Sequence, residues 1–193
     1  GRGCVATAAI SVTEPAVIVV PTPTVTEFGC NSTNNLNNAS ITVSGVSGGS
    51  NTFTQYEFIK NGTRLQFGSS PIYIETDLNG GSYTINVYDD KGCSGTTTAI
   101  INPLYVLDTI NVSVTNEISC SLLSETIQVS VTPTTIPSSD LEYSLIPVSG
   151  SLVGTPFSSN PTGIFPGLTV GEYLITARNK VTNCTIQKVH TVN

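Results

Sequence analysis

The sequence contains no methionine and no tryptophan, a single histidine and only seven basic residues among 193. Those seven (Arg2, Lys60, Arg64, Lys91, Arg178, Lys180 and Lys188) are scattered, and the net charge is −6. Without a basic stripe to neutralise phosphates, nucleic acid is not an expected partner. With one imidazole, His190, Ser-His or Cys-His chemistry has little to work with, and no cysteine pair has the C-x-x-C spacing of a metal site. No catalytic residue, metal or cofactor is expected. No apolar run approaches the ~20 residues needed to span a bilayer. The most hydrophobic stretch, residues 16–20, is closed by Pro15 and Pro21, so membrane insertion of this segment is not expected.

What is abundant is Thr, Ser, Asn and Gly around short β-branched runs, a mixture of turn formers and strand formers. The cysteines impose an order on it. Cys4 to Cys93, Cys30 to Cys120 and Cys93 to Cys184 are 89, 90 and 91 residues apart. The rest of the chain keeps this period: Leu78, Gly81, Tyr83 and Ile85 recur as Leu168, Gly171, Tyr173 and Ile175. Upstream, residues 40–46 match 126–132, and 55–59 match 142–146, with small offsets that loop insertions explain.

Inside each unit the hydrophobic period is 2, as in Ile41 and Val43, Tyr56 and Phe58, or Tyr83, Ile85 and Val87. Turn signals such as Gly48-Gly49, Asn61-Gly62 and Gly80-Gly81 separate the runs. About seven short strands in some 90 residues, with no helical segment, predict an all-β chain of tandem immunoglobulin-like β-sandwich domains in an extended array. The units are expected at 16–103 and 104–193, with 1–15 as the last strand of a truncated preceding repeat. Tyr83 and Tyr173, in the repeated L-x-x-G-x-Y element, are placed for a tyrosine corner, in which the hydroxyl bonds back to nearby backbone. His190 falls where earlier copies carry about Ala99 and Ile10, which predicts a strand-face residue. Asp89-Asp90 stand where the second unit has Asn179-Lys180, which predicts hairpin capping in place of a calcium or glycosidase site.

The order of these motifs resembles the SprB-type repeats of giant bacterial surface adhesins. The resemblance is carried by residues 78–93, "LNGGSYTINVYDDKGC", and the strand that follows up to Pro103. It covers almost the whole chain. The second unit departs from it at Asn183-Cys184, where the first has Gly92-Cys93, and at Arg178-Asn179, where the first has Tyr88-Asp89. The resemblance implies long cell-surface filaments of gliding bacteria, exported by the type IX secretion system and built of many tandem repeats.

That compartment is oxidising, which fits the cysteine usage. Disulfides within each unit, Cys30 with Cys93 and Cys120 with Cys184, are expected, leaving Cys4 unpaired within the chain; Cys4 with Cys30 and Cys93 with Cys120 is the alternative. The intra-unit pairing carries a geometric difficulty, because in an alternating sandwich the first turn and the last hairpin lie at opposite ends. Asp108-Thr109-Ile110 matches the Asp-Thr-apolar O-glycosylation signal of bacteria that carry this family, making Thr109 a candidate acceptor.

The expected function is therefore a structural one: stalk repeats of an extracellular, cell-surface adhesin or filament, whose partners are neighbouring repeats and, at a part of the protein outside this chain, surface glycans. A strand-donating pilin, with residues 4–14 as the donated strand, and a carbohydrate-binding module are the alternatives. The connectors at 14–23 and 102–111 combine proline with bulky apolar residues, which predicts that Val17, Val19, Leu104 and Val106 are covered and that the array is semi-rigid.

Overall fold

In the computed structural model, residues 3, 6–10 and 14–193 are described. The chain is all-β. The first series of strands is β1 (Thr24–Thr26), β2 (Gly29–Cys30), β3 (Leu36–Asn37), β4 (Ala39–Thr42), β5 (Phe53–Lys60), β6 (Thr63–Gly68), β7 (Ile72–Glu75), β8 (Gly81–Asp89) and β9 (Ser94–Ile101). The second is β10 (Thr109–Asn116), β11 (Glu125–Thr132), β12 (Leu141–Pro147), β13 (Phe157–Asn160), β14 (Ile164–Leu168), β15 (Gly171–Asn179) and β16 (Thr185–Val192). Each series makes a three-stranded and a four-stranded sheet: β1-β4-β7 with β6-β5-β8-β9, then β10-β11-β14 with β13-β12-β15-β16. Three strands facing four is the arrangement of an immunoglobulin-like sandwich.

The strand register repeats as the sequence does. Phe58 pairs with Ile85 and Lys60 with Tyr83; Leu145 pairs with Ile175 and Pro147 with Tyr173. Alternation then decides which side chains go inside. In the first unit Ile41, Val43, Phe58, Tyr83, Ile85 and Val87 are buried, and in the second Ile127, Val129, Leu145, Leu168, Tyr173 and Ile175 join one core. Leu78, the counterpart of Leu168, is only half-buried. Asn61 and Gly62, both at positive φ (52° and 79°), close the β5–β6 hairpin between the paired Lys60 and Thr63. This is the Asn-Gly turn whose backbone matches strand twist.

The expected continuous boundaries at 16–103 and 104–193 are not those of the compact units. One unit comprises Gly1–Val25, Ser40–Tyr73 and Gly81–Ile100; the other comprises Thr26–Ala39, Ile74–Gly80 and Ile101–Asn193. Hydrogen bonding accounts for the difference. In the second unit Leu104 N–H donates to the Leu78 carbonyl at 2.8 Å, and the Glu27 carboxylate accepts from both the backbone and the side-chain amide of Asn102, each at 2.9 Å.

Of the four connector residues expected to be covered, Leu104 is buried, whereas Val17, Val19 and Val106 are exposed and their neighbours Ile18 and Leu107 are buried instead. Ile18 is held down by Gly95, where a Cβ would come within 2.7 Å of the isoleucine Cγ2. In the 1–15 segment, Cys4 and residues 11–13 lie outside the described residues, and residues 6–10 take no strand.

Candidate functional site

The β2–β3 hairpin and the β15–β16 turn form the most elaborated junction among the described residues, and both belong to the second unit. An asparagine-rich loop shapes the hairpin. The Asn31 side-chain oxygen accepts from the backbone of Thr33 at 3.0 Å and of Asn35 at 2.9 Å, which leaves Asn34 at φ 60°. Asparagine tolerates that left-handed geometry better than most residues. So turned, the Asn34 amide meets the backbone of Thr185: its Nδ2 donates to the Thr185 carbonyl at 2.9 Å and its Oδ1 accepts from the Thr185 N–H at 2.8 Å. It mimics a peptide group and adds a rung at the start of β16.

Beside it, the Cys30 N–H donates to the Thr182 carbonyl at 2.7 Å. Gly29 permits this approach, since a Cβ there would stand 3.0 Å from the same carbonyl oxygen. Cys30 and Cys184 are joined in a disulfide with their α-carbons 4.9 Å apart. An open polar groove beside the bond is lined by Asn31, Ser32, Asn34, Arg178 and Asn183.

This pairing replaces both expected pairs. Cys93 and Cys120 are exposed free thiols, and Cys4 lies outside the described residues. The reason is visible in the second unit. Glu125, five residues after Cys120, pairs with Leu168 and bonds His190, at the end of the sandwich where β15 begins. Cys184 follows the far end of β15, a strand of nine residues. At ~3.3 Å per residue that is roughly 27 Å, whereas a disulfide needs α-carbons within about 7 Å.

The two hairpin cysteines are nonetheless built alike. Asp89 N–H donates to the Cys93 carbonyl at 3.0 Å, and Asn179 N–H to the Cys184 carbonyl at 2.9 Å. Asp89 also gathers the Lys91 and Cys93 N–H groups on Oδ1 and that of Ser50 on Oδ2. The Ser50 N–H foremost, then those of Cys93 and Lys91, hold its carboxyl below the ordinary value against the opposing effect of burial. The Asp89-Asp90 pair is thus a turn-capping device, with Asp90 next to Lys91 at 3.1 Å.

Other singled-out residues take the following places. Tyr173 is buried, and its hydroxyl donates to the Thr169 carbonyl at 2.6 Å. Tyr83 is buried with its ring 5.7 Å from that of Tyr73. Thr109 is exposed at the start of β10, its hydroxyl 3.1 Å from Asp108 Oδ2. His190 Nε2 lies 2.6 Å from Glu125 Oε1, and both side chains are largely covered. Sequence reasoning treated His190 as a plain strand residue and missed this partner, which sits 65 positions away.

A second group missed by sequence reasoning lies on the outer face of the first unit's four-stranded sheet. Glu57 Oε2 accepts from Asn86 Nδ2 and the Tyr88 hydroxyl, both at 2.9 Å. These two bonds, Asn86's being the larger, lower the Glu57 pKa, and the bond to Glu57 raises that of Tyr88. Arg64 stands 5.3 Å from the centroid of the exposed Phe67 ring. The only advance signal was that Glu57, Asn86 and Tyr88 occupy the out-facing phase of β5 and β8. Among the described residues no three His, Cys, Asp or Glu side chains gather as metal ligands, and no helix is long and apolar enough to cross a membrane.

No protein-family model and no curated protein matches the chain. Among solved structures it is similar to the crystal structure of murine CEACAM1b, with a TM-score of 0.46 and 12% identity, over 91% of this chain and 98% of that one.

Proposed function

We propose that the chain is a structural segment of an extracellular, cell-surface adhesin or filament, a pair of stalk repeats of the SprB type that performs no chemistry and transmits tension. The observation that carries this reading is the Cys30–Cys184 bond. It joins a cysteine of the first sequence repeat to one of the second across 154 residues. Force applied at the two ends of such a chain runs through the bond, so the residues enclosed by it carry none of the covalent load. A disulfide of this kind suits an oxidising exterior, and gliding motility and type IX export remain part of the proposal through the sequence resemblance alone.

Antibodies against the chain test the reading on its native source. They are expected to label the surface of intact cells, and to detect a polypeptide whose mass far exceeds 20.2 kDa. Antigen confined to the cell interior would refute the reading, and a surface polypeptide of about 20 kDa would favour a pilin over a stalk.

A second reading has one specific observation in its favour. Phe67, Arg64, Glu57 and Tyr88 present an aromatic face beside a carboxylate and a cation, a combination that suits a carbohydrate ring. Glycan-array binding lost on Phe67→Ala would support it.

A further inference from the structure

The polar groove beside the Cys30–Cys184 bond gathers the places where the second repeat departs from the first. Arg178 stands where the first repeat has Tyr88, and Asn183 where it has Gly92. The two are bonded to each other, Arg178 Nη2 donating to Asn183 Oδ1 at 2.6 Å. Gly92 has φ 82° and Asn183 φ 62°, so the left-handed turn position is kept and the asparagine adds an amide to it. The β2–β3 loop supplies the rest of the polar lining, with Asn31, Ser32 and Asn34.

Hydrogen-bond polarity decides what such a groove can hold. Asn31 Oδ1 already accepts from the Thr33 N–H, the Thr33 hydroxyl and the Asn35 N–H, and Asn183 Oδ1 accepts from Arg178. Both ends of the Asn34 amide are engaged by Thr185. Among the described residues, the Nδ2 groups of Asn31 and Asn183, the other guanidinium N–H groups of Arg178 and the Ser32 hydroxyl bond no protein atom. What the groove offers is donors. The charge agrees with this. Glu142 is the cross-strand neighbour of Arg178, yet its carboxylate accepts from the Ser159 hydroxyl at 3.1 Å, and Arg178 turns to the neutral Asn183 instead. No acidic residue lines the groove, so the cation inside it is left without a counter-charge.

From this arrangement we infer that the groove binds the carboxylate of an acidic sugar, a hexuronate unit of a polysaccharide. A guanidinium matches a planar carboxylate through two parallel N–H bonds. The asparagine amides and Ser32 then meet ring hydroxyls, which accept hydrogen bonds as well as donate them. An acidic peptide would instead bring backbone N–H groups to a groove whose asparagine oxygens are taken. The volume of about 330 Å³ falls at the small end of ligand sites, ~300–1,000 Å³, a scale of sugar units and not of a folded partner. The first unit provides the contrast: its hairpin carries Tyr88 and Gly92 at these positions, and its one cation, Lys91, is paired with Asp90 at 3.1 Å. The site adds lateral binding to the stalk reading and does not depend on it.

Titration of the isotope-labelled full chain with galacturonate trimer, followed by NMR, tests the inference. The methyl-esterified trimer, inorganic sulfate and a capped tri-aspartate peptide serve as comparison probes. The expected result is saturable shifts of the Arg178, Asn31 and Asn183 side-chain resonances, with the acid bound about tenfold or more tighter than its ester. Arg178→Gln is expected to weaken binding by a similar factor, and Arg178→Lys to restore little of it because the paired N–H geometry is lost. Asn183→Gly places the first repeat's residue at the left-handed position, so it keeps the turn, and is expected to weaken binding several-fold. Phe67→Ala, on the first unit's sheet, is expected to change nothing. Equal binding of acid and ester, sulfate or tri-aspartate bound as tightly as the trimer, indifference to Arg178→Gln, or loss on Phe67→Ala would each overturn the inference. Those outcomes leave the surface-labelling and mass result above untouched, so the two failures are distinguishable.

Discussion

Asp89 and Asn179 hold the same place in two hairpins: each donates its backbone N–H to the carbonyl of the cysteine that ends the turn, and each turns its side chain back to cap the loop. Only one of them is charged, and that difference has a measurable consequence. The folded protein lowers the Asp89 pKa below 3.8. A group whose pKa falls on folding contributes stability that is present above its unfolded pKa and is lost as pH falls through the folded one. The Asp89 turn is expected to open as the pH falls through this lowered pKa, below the ordinary carboxylate range, seen as faster amide exchange at Ser50 and Cys93, while the Asn179 turn does not respond. Asp89→Asn should remove the pH response and place an amide against the Ser50 N–H. Equal responses in the two turns would contradict this.

The glycine of L-x-x-G-x-Y has φ 151° at Gly171 and 144° at Gly81, a region that other residues avoid. At Gly171 a Cβ would also stand 2.5 Å from the Ser149 carbonyl oxygen. Gly171→Ala is expected to cost about 1–3 kcal/mol in denaturant titrations. Gly68→Ala, where a Cβ meets nothing within 4 Å, serves as the control and is expected to change stability by less than about 0.5 kcal/mol.

Tyr173→Phe removes the hydroxyl that bonds the Thr169 carbonyl and leaves the ring in the core. The expected loss is about 1 kcal/mol. A loss near zero in the same titration would mean that the corner bond has no net worth.

Much of this was legible in the sequence, and the boundary has a physical cause. Alternation is local, so Tyr83, Ile85, Tyr173 and Ile175 could be placed in the core from period 2 alone, and Asn61-Gly62 could be placed in a hairpin from its own φ preferences. The cysteine period was equally visible, but a period fixes equivalence and says nothing about partners. Cys30 bonds Cys184 because an asparagine loop carries it there, and Asn34 was one asparagine among many until its side chain met Thr185. His190 with Glu125, and Glu57 with Asn86 and Tyr88, are likewise contacts between distant strands, which no single-strand pattern contains.

Cys184→Ser opens a loop of 154 residues, and the chain-entropy model assigns its closure about 5 kcal/mol. The variant is expected to lower the melting of the second unit and to raise amide exchange at Cys30 and Thr185. Asn34→Ala should raise exchange at Thr185 alone, with the disulfide still formed in peptide maps.

Pulling single molecules by their two ends tests the account most directly. With the Cys30–Cys184 bond intact only about 40 residues lie outside the closed loop, and at ~3.5 Å per residue the chain should lengthen to no more than roughly 14 nm of free contour. After reduction the same molecules should unfold to roughly 65 nm. Long extension without reductant, or the same contour before and after it, would contradict the claim that tension passes through this bond.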